Sequence, residues 1–370
     1  MASHPHPPAS AALTTPPRRF ALNDAQAVYR LASEDTALGR RVKEAVDITE
    51  KALNDYGLEH VALSFNGGKD CTVLIHILAA CILKHLHPSA FPSSSTSAPS
   101  SSSSAAAPPT LPLIPTIYIR TPSPFPQVEA FVSLCVGWYS LELEAVEGNM
   151  KESLQVYLDH QKARKGGGRE VKAVLVGTRR GDPHGATLTP FAPTDASWPS
   201  FMRVHPILDW SYGDVWAFLR CGGLSLGAGG AAGEKGLAEG GRTGLEWCEL
   251  YDYGYTSLGS THNTFPNPLL RATTTDGHFH SSSSPATVSI SAPAGGEPAP
   301  LGGWRPAWEL EDESAERAGR ETNLQAVVAR TPHSPSSPST TAPPLPPLPS
   351  VNVVDGAADA TPIGSGTEGA

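Results

Sequence analysis

Apolar and polar residues along this chain follow two alternating periods. From Leu22 to Tyr56 the period is helical, with Val42, Val46, Thr49 and Leu53 on one stripe and Gly57 placed to end it. Val61-Ala62-Leu63-Ser64-Phe65 reads as a short buried strand, and Asn66-Gly67-Gly68-Lys69-Asp70 leads from it into a second helix. There Val73, Leu74, Ile77, Leu78, Cys81 and Ile82 recur at helical spacing. A strand is expected at Ile114–Ile119, the start of a helix at Pro126–Leu134, a strand at Tyr139–Ala145 and a helix at Met150–His160. Val171–Val176 is the clearest strand, and a helix resumes near Asp214–Leu219. Strands alternating with helices predict the α/β class: a Rossmann-like, mainly parallel sheet flanked by helices on both faces.

Elsewhere the periodicity fails. Residues 1–20 read as a disordered arm, and the Pro/Ser-rich residues 329–370 as a disordered tail. A Ser/Ala/Pro tract at 88–112, a Gly-rich stretch at 222–244 and a low-complexity stretch at 272–303 cannot bury enough apolar surface to pack. What remains, 21–328, is expected to be one domain carrying three insertions. Within it, residues 178–212 are rich in Pro, Thr, Asp, Trp and Arg without a long apolar repeat, the mark of a functional or misread segment. Trp247–Leu270 forms a compact aromatic segment, and a last ordered piece is expected at Trp304–Val328.

Charge and cysteine usage narrow the partners. The net charge is −9 and no Lys/Arg stripe runs along any segment, which argues against a nucleic-acid backbone as partner. A small nucleotide needs only one or two well-placed cations. No apolar run is long enough to cross a bilayer, so no membrane partner is expected. Met1–Phe20 lacks a secretory core; Arg18 and Arg19 leave a weak mitochondrial reading, which five prolines oppose. The five cysteines are scattered with no Cys-x-x-Cys pair, which fits a reducing, cytoplasmic setting and neither a disulfide framework nor a zinc site. A monomer or weak oligomer is expected.

Two turns carry candidate chemistry. Ser64-Phe65-Asn66-Gly67-Gly68-Lys69-Asp70 follows a buried strand and opens a helix, where unpaired N–H groups and the helix dipole favour an anion. The glycines allow close approach of phosphate, Lys69 adds a cation, and Asp70 is placed to hold Mg²⁺ between phosphate oxygens. The common P-loop has four residues between its glycines and Ser/Thr after the lysine; here Asp follows. A plain glycine turn is the competing reading. Gly177-Thr178-Arg179-Arg180-Gly181-Asp182-Pro183 leaves the best strand at its carboxyl end, where open α/β sheets bind ligands. Arg179 and Arg180 suit planar, bidentate phosphate recognition. Asp182 and Asp195 suit a metal or a polar ligand edge, or are simply turn acids. Trp198, in a loop, either stacks on a flat ring or plugs the core beneath it. Trp210 and Trp216 are assigned to the core. On a helix, Arg317 and Arg320 would share a face, which by itself describes only an exposed charged helix.

Together these residues resemble the eukaryotic, fungal-type FAD synthase (FMN adenylyltransferase) family, within the wider group of PAPS reductases and PP-loop ATP pyrophosphatases. The resemblance runs through SFNGGKDCTVLIHIL at 64–78, IYIRTPSPFP at 117–126 and VGTRRGDPHGATLTPFAPTDASWPSFMRVHPILDWSYGDVW at 176–216. It continues in LYDYGYTSLGSTHNTFPNP at 250–268 and RPAWELEDESAERAGR at 305–320. Gln127 stands where the family often has Glu. Animal members carry a further N-terminal domain, so the resemblance is to the shorter, fungal-type enzyme.

The resemblance implies a PAPS reductase/PP-loop-like fold and a transfer of AMP from ATP to FMN, giving FAD and pyrophosphate with Mg²⁺ as cofactor. It implies catalytic roles for Asn66, Asp70, Asp182 and Arg317. Ser64, Asn66, Gly67, Gly68, Lys69, Arg179, Arg180 and Arg320 would bind ATP phosphates, and Asp70 would lie near Mg²⁺. Asp182, Asp195 and Trp198 would serve the flavin, the last two at the isoalloxazine ring. Phosphoryl-group transfer of this kind works by positioning and charge neutralisation. Two rivals compete. A PAPS reductase-like sulfonucleotide enzyme would need a nucleophilic cysteine near the C-terminus, whereas the last one here is Cys248. A catalytically inactive nucleotide sensor would not need Asn66, Asp70, Asp182 and Asp195 together.

Overall fold

The computed structural model describes residues 19–91, 109–164, 167–224, 244–272 and 303–320. The expected N-terminal arm up to residue 18, most of the three insertions and everything after 320 lie outside the described residues. Of the Ser/Ala/Pro tract, Pro88–Ala90 form a 3₁₀ turn whose Ala90 carbonyl accepts from Gln26 Nε2 at 2.8 Å.

Among the described residues, six helices and six strands build the chain. The helices are α1 (Leu22–Ala32), α2 (Ala37–Tyr56), α3 (Lys69–Leu86), α4 (Pro126–Tyr139), α5 (Met150–Ala163) and α6 (Tyr212–Leu219). The strands are β1 (Val61–Ser64), β2 (Ile114–Arg120), β3 (Leu141–Glu147), β4 (Ala173–Leu175), β5 (Phe191–Pro193) and β6 (Met202–Val204). They form one sheet in the order β3-β2-β1-β4-β6-β5, parallel except for β5, which runs antiparallel to β6. Leu63 of β1 lies in register with Thr116 of β2 on one side and Leu175 of β4 on the other.

This order follows from how the helices return the chain. From β1 it moves outward through α3 to β2 and through α4 to β3, then α5 carries it back to β4 on the far side of β1. The strand order therefore reverses between β1 and β4. Their carboxyl ends diverge there and leave the crevice where open α/β sheets bind ligands. On one face Val61, Leu63, Tyr118, Leu175 and Val204 pack against α1, α2, α3, α4 and α6. On the other, Ala62, Ile117, Val146 and Val174 meet Leu154, Tyr157 and Leu158 of α5.

Local chemistry sets the helix limits. Thr36 caps α2 by accepting from Gly39 N at 2.9 Å, and Gly57 ends it at φ +83, a conformation that suits glycine. Asn149 caps α5, and Ser211 with Asp214 forms a capping box on α6. α3 is apolar around its whole circumference, with Val73 to Ile75 and Ile77 to Leu83 at most 1% exposed, so it can only be a central, enclosed helix. His76 lies inside it, its Nδ1 3.0 Å from the Tyr139 hydroxyl and its ring edge-on to Phe20.

Four expectations are corrected. The single helical pattern from Leu22 is broken into α1 and α2 by Ser33–Thr36. The strand expected at 139–145 is shifted to 141–147, because α4 runs on to Tyr139 and Ser140 turns the chain with φ +53. The irregular 178–212 segment contains β5 and β6. Each has three residues, too few to show an alternation, and Pro193 sits on an edge strand, where no ladder N–H is required. The last piece is not an α-helix: Ala307–Glu309 and Glu313–Ala315 are 3₁₀ turns, and Arg320 N closes another turn on Arg317 O at 3.0 Å. Trp210 and Trp216, by contrast, lie in the core as expected, each 3% exposed.

Candidate active site at the strand-order switch point

The first turn is shaped by its side chains as much as by its glycines. Asn66 Oδ1 accepts from Gly68 N at 2.9 Å, folding the chain back after β1. Gly67 takes φ +72 with α4 close behind it; a Cβ there would meet Val132 Cγ2 at 3.0 Å, so the site needs glycine twice over. α3 then starts at Lys69, whose backbone N–H donates to the Tyr251 hydroxyl at 2.9 Å. The second turn passes directly against this helix start. A Cβ on Gly177 would meet Cys71 Sγ at 3.2 Å and the Asp70 backbone at 3.3 Å.

The two turns place their charges in one cluster. Lys69 and Arg179 are 2% and 4% exposed. Lys69 Nζ donates to Asp70 Oδ2 at 3.0 Å and to Glu316 Oε1. Arg179 Nε lies 2.9 Å from Asp70 Oδ1, and its Nη2 reaches Glu316 Oε2 at 2.5 Å and Asp182 Oδ1 at 3.3 Å. Asp182 Oδ2 also accepts from Arg179 N at 2.8 Å, closing the turn on itself. The Lys69 ammonium lies 5.2 Å from the centroid of the Tyr212 ring.

Burial and pairing oppose each other throughout this cluster. Burial by itself would lower the Lys69 pKa, but the Asp70 and Glu316 carboxylates hold it above its ordinary value. Burial would raise Asp70, yet Lys69 and Arg179 bring it below the usual carboxylate range. Arg179 is raised by the carboxylates around it in spite of burial. Asp182 goes the other way. Its burial, with the charges of Asp70 and Glu316 adding to it, outweighs Arg179 and raises its pKa.

The remaining residues singled out from the sequence lie in three places. Arg180 turns away from its neighbour: Nε donates to Asp209 Oδ1 at 2.5 Å and Nη1 to the carbonyls of Ala186 and Leu188 at 3.2 Å, so it does not join the cluster. Asp195 and Trp198 sit in the loop before β6, at the amino end of that strand. The phosphate turns leave the carboxyl ends of β1 and β4, at the opposite end of the parallel strands. Asp195 is exposed and Trp198 is half-buried against the layer under α5. Arg317 and Arg320 follow Glu316 on the last described segment, residues 303–320, which forms a strap. The Arg320 guanidinium lies flat over Gly259, where a Cβ would come within 2.2 Å of Nη1. Burial first, then the neighbouring Arg317 charge, lowers the Arg320 pKa.

Glu316, Tyr251, Thr256 and Asn267 were not singled out from the sequence, yet they assemble the site. Thr256 Oγ1 donates to Glu316 O at 2.6 Å, and Asn267 Nδ2 donates to Ala315 O at 2.8 Å and to Thr256 Oγ1 at 3.0 Å. An antiparallel bridge between Thr264 and Arg320 completes the attachment. The available signal for Glu316 was its place directly before Arg317.

Among the described residues, no group of three or more His, Cys, Asp or Glu is arranged to hold a metal ion alone. Mg²⁺, however, is usually held by one or two carboxylates together with substrate phosphates. Asp70 and Asp182, both ion-paired with Arg179, are hard oxygen donors that fit that mode.

Comparison with known proteins agrees with this architecture. The phosphoadenosine phosphosulfate reductase domain family matches residues 60–226, the span from β1 to just beyond α6. A probable FAD synthase of Schizosaccharomyces pombe is 32% identical over 287 residues, covering 78% of this chain and 81% of the relative. A probable FAD synthase of Caenorhabditis elegans is 30% identical over 282 residues, covering 76% of this chain and 40% of that longer protein. The FMN adenylyltransferase of Candida glabrata, solved with FMN and the ATP analogue AMPCPP, is 25% identical with a TM-score of 0.53. The match covers 82% of this chain and 98% of that one. The same enzyme has been solved with FAD and inorganic pyrophosphate, with a TM-score of 0.54. A shared fold and 32% identity sustained over four fifths of a relative's length lead to one assignment: this chain belongs to the FAD synthase family.

Proposed function

We propose that the chain is an FMN adenylyltransferase: it transfers AMP from ATP to the phosphate of FMN, releasing pyrophosphate and forming FAD. The observation that carries this reading is the cluster at the switch point, where Lys69 and Arg179 are buried together at the start of a helix. A phosphate oxygen of FMN attacks the α-phosphorus of ATP, and the bond from that phosphorus to the bridging oxygen of pyrophosphate breaks. The attacking oxygen is already anionic, so no strong general base is required. What the protein must supply is charge neutralisation between two polyanions and a fixed geometry.

On this reading Lys69, Arg179 and the α3 amino end bind the polyphosphate, and Arg317 and Arg320 approach it from the strap. Asp70 and Asp182 would hold Mg²⁺, which when bound neutralises phosphate charge. Asp195 and Trp198 are proposed to receive the flavin ring at the far end of β6, so that the ribityl chain spans the distance between ring and phosphate. The free state of all five cysteines supports a reducing, cytoplasmic setting. We also propose a monomer or weak oligomer.

Two outcomes would replace this reading. Incubation with ATP, FMN and Mg²⁺ should produce FAD and pyrophosphate in equal amounts by chromatography. Thioredoxin-dependent sulfite release from PAPS would instead favour a reductase, although burial pushes the site's own thiol, Cys71, up to about 12, unsuited to nucleophilic work. Calorimetric binding of ATP and FMN with no FAD formed would favour a nucleotide sensor.

A further inference from the structure

Glu316 makes the same use of Lys69 and Arg179 that a phosphate would make. One of its oxygens takes the Lys69 ammonium and the other takes Arg179 Nη2 at 2.5 Å. Planar, two-point recognition of this kind serves carboxylate and phosphate alike. The cluster then holds two cations against three carboxylates, Asp70, Asp182 and Glu316, so it offers no positive surplus to a polyanion. Asp70 and Asp182 cannot withdraw easily. Asp70 stands in the first turn of α3, and Asp182 closes its own turn through Arg179 N. Glu316 is differently built in. It stands on the strap after a 3₁₀ turn, fixed through its backbone carbonyl to Thr256, and its side chain alone enters the cluster.

We propose that Glu316 is a positioning residue that acts as an internal competing anion. Its carboxylate keeps the two buried cations paired and aligned, and a polyphosphate binds by taking both over. The inference rests on the reading of this cluster as a phosphate site. With Glu316 rotated aside, two cations face two carboxylates, and Arg317 and Arg320 on the same strap tip the balance to positive. The exchange thus couples entry of the polyanion to a side-chain rotation on the strap that carries those arginines.

Glu316→Gln tests this, because it keeps the shape and removes the charge. Inorganic tripolyphosphate, titrated calorimetrically into the full chain without Mg²⁺, should bind the variant on the order of tenfold more tightly than wild type. The variant should also melt at a lower temperature, since two buried cations lose a partner. Opposite movements of stability and anion affinity are what a merely structural residue would not give. Equal or weaker tripolyphosphate binding would overturn the proposal. So would weakening confined to Mg²⁺-containing titrations, which would make Glu316 a metal ligand. Should Glu316→Gln fail to fold by circular dichroism, Glu316→Asp, too short to span both cations, must still bind more tightly, by a smaller factor. If wild type formed no FAD, the functional reading would fall while the tripolyphosphate result would stand or fall independently.

Discussion

Replacing Thr256 by Val tests whether the strap belongs to the working site. Thr256 is 1% exposed, and the two side chains are nearly isosteric, so the change removes a hydroxyl without opening a cavity. That hydroxyl donates to Glu316 O at 2.6 Å and accepts from Asn267 Nδ2 at 3.0 Å. Its loss strands one carbonyl and one N–H, each costing about 1–3 kcal/mol when buried. Asn267 keeps its bond to Ala315 O, so the total should fall near 2–4 kcal/mol, toward the low end of two full penalties. In a chain of this size that lowers the melting temperature by roughly 5–10 °C. The functional effect should be separable. A strap displaced by about 1 Å carries Glu316 and Arg317 with it, and a displacement of that size can reduce turnover by up to ~100-fold. FAD formation, followed by chromatography well below the melting point, should show a roughly 10- to 100-fold lower kcat. The KM for FMN should hardly move, and Thr256→Ser should restore both properties. A lower melting temperature with unchanged kcat and KM for ATP would refute the reasoning and reduce the strap to scaffold.

Three further outcomes are expected. Asp70→Asn keeps the shape of the first α3 turn but removes the charge shared by Lys69 and Arg179, and should lower kcat by about 100-fold or more with little change in the KM for FMN. Asp195→Ala should raise the KM for FMN by about 10- to 100-fold while kcat and melting temperature stay near wild type, because Asp195 is exposed; an equal fall in kcat with KM unchanged would remove it from the flavin end. Burial lowers His76 to about 3 and His205 to about 4, both below the ordinary 6.5, so the unfolded chain protonates first. Stability is therefore complete above pH 6.5 and falls with acid toward those values, by about 1.4 kcal/mol per pH unit per histidine. Urea melts between neutral pH and pH about 4.5 should reveal that slope, and His205→Gln should flatten it.

What was legible in the sequence was whatever depends on neighbours. α3 announces itself because its apolar residues recur at helical spacing, and the phosphate turn because strand, glycines, lysine and helix succeed one another within ten residues. β5 and β6 were not legible, since three residues cannot display a period and their stability comes from pairing with β4 and with each other. The adjacent Arg179 and Arg180 look equivalent in sequence, yet one is buried in the cluster and the other is drawn outward by Asp209, which lies 29 residues on. Glu316 lies 247 residues from Lys69. No local pattern joins them; the tertiary attachment of the strap, through Thr256 and Asn267 among other contacts, brings the carboxylate home.

That attachment also answers a physical difficulty in the switch-point design. A phosphate site needs cations that are dry, because screening by water weakens their hold on an anion. A dry cation without a partner is costly, and an ion pair at full burial holds its members firmly in return. Asp70 and Asp182 alone would satisfy Arg179 and leave Lys69 with a single neighbour at 3.0 Å. Glu316 completes both, from an irregular segment of 3₁₀ turns that is anchored by core packing of Ala307 and Leu310 and by hydrogen bonds through Thr256 and Asn267. Rigid elements therefore supply the charges that must stay, and an irregular one supplies the charge that must yield. The division places the exchangeable charge on a side chain of the strap and not on the sheet or its helices, and it explains why the residue directly beside Arg317 should be a carboxylate.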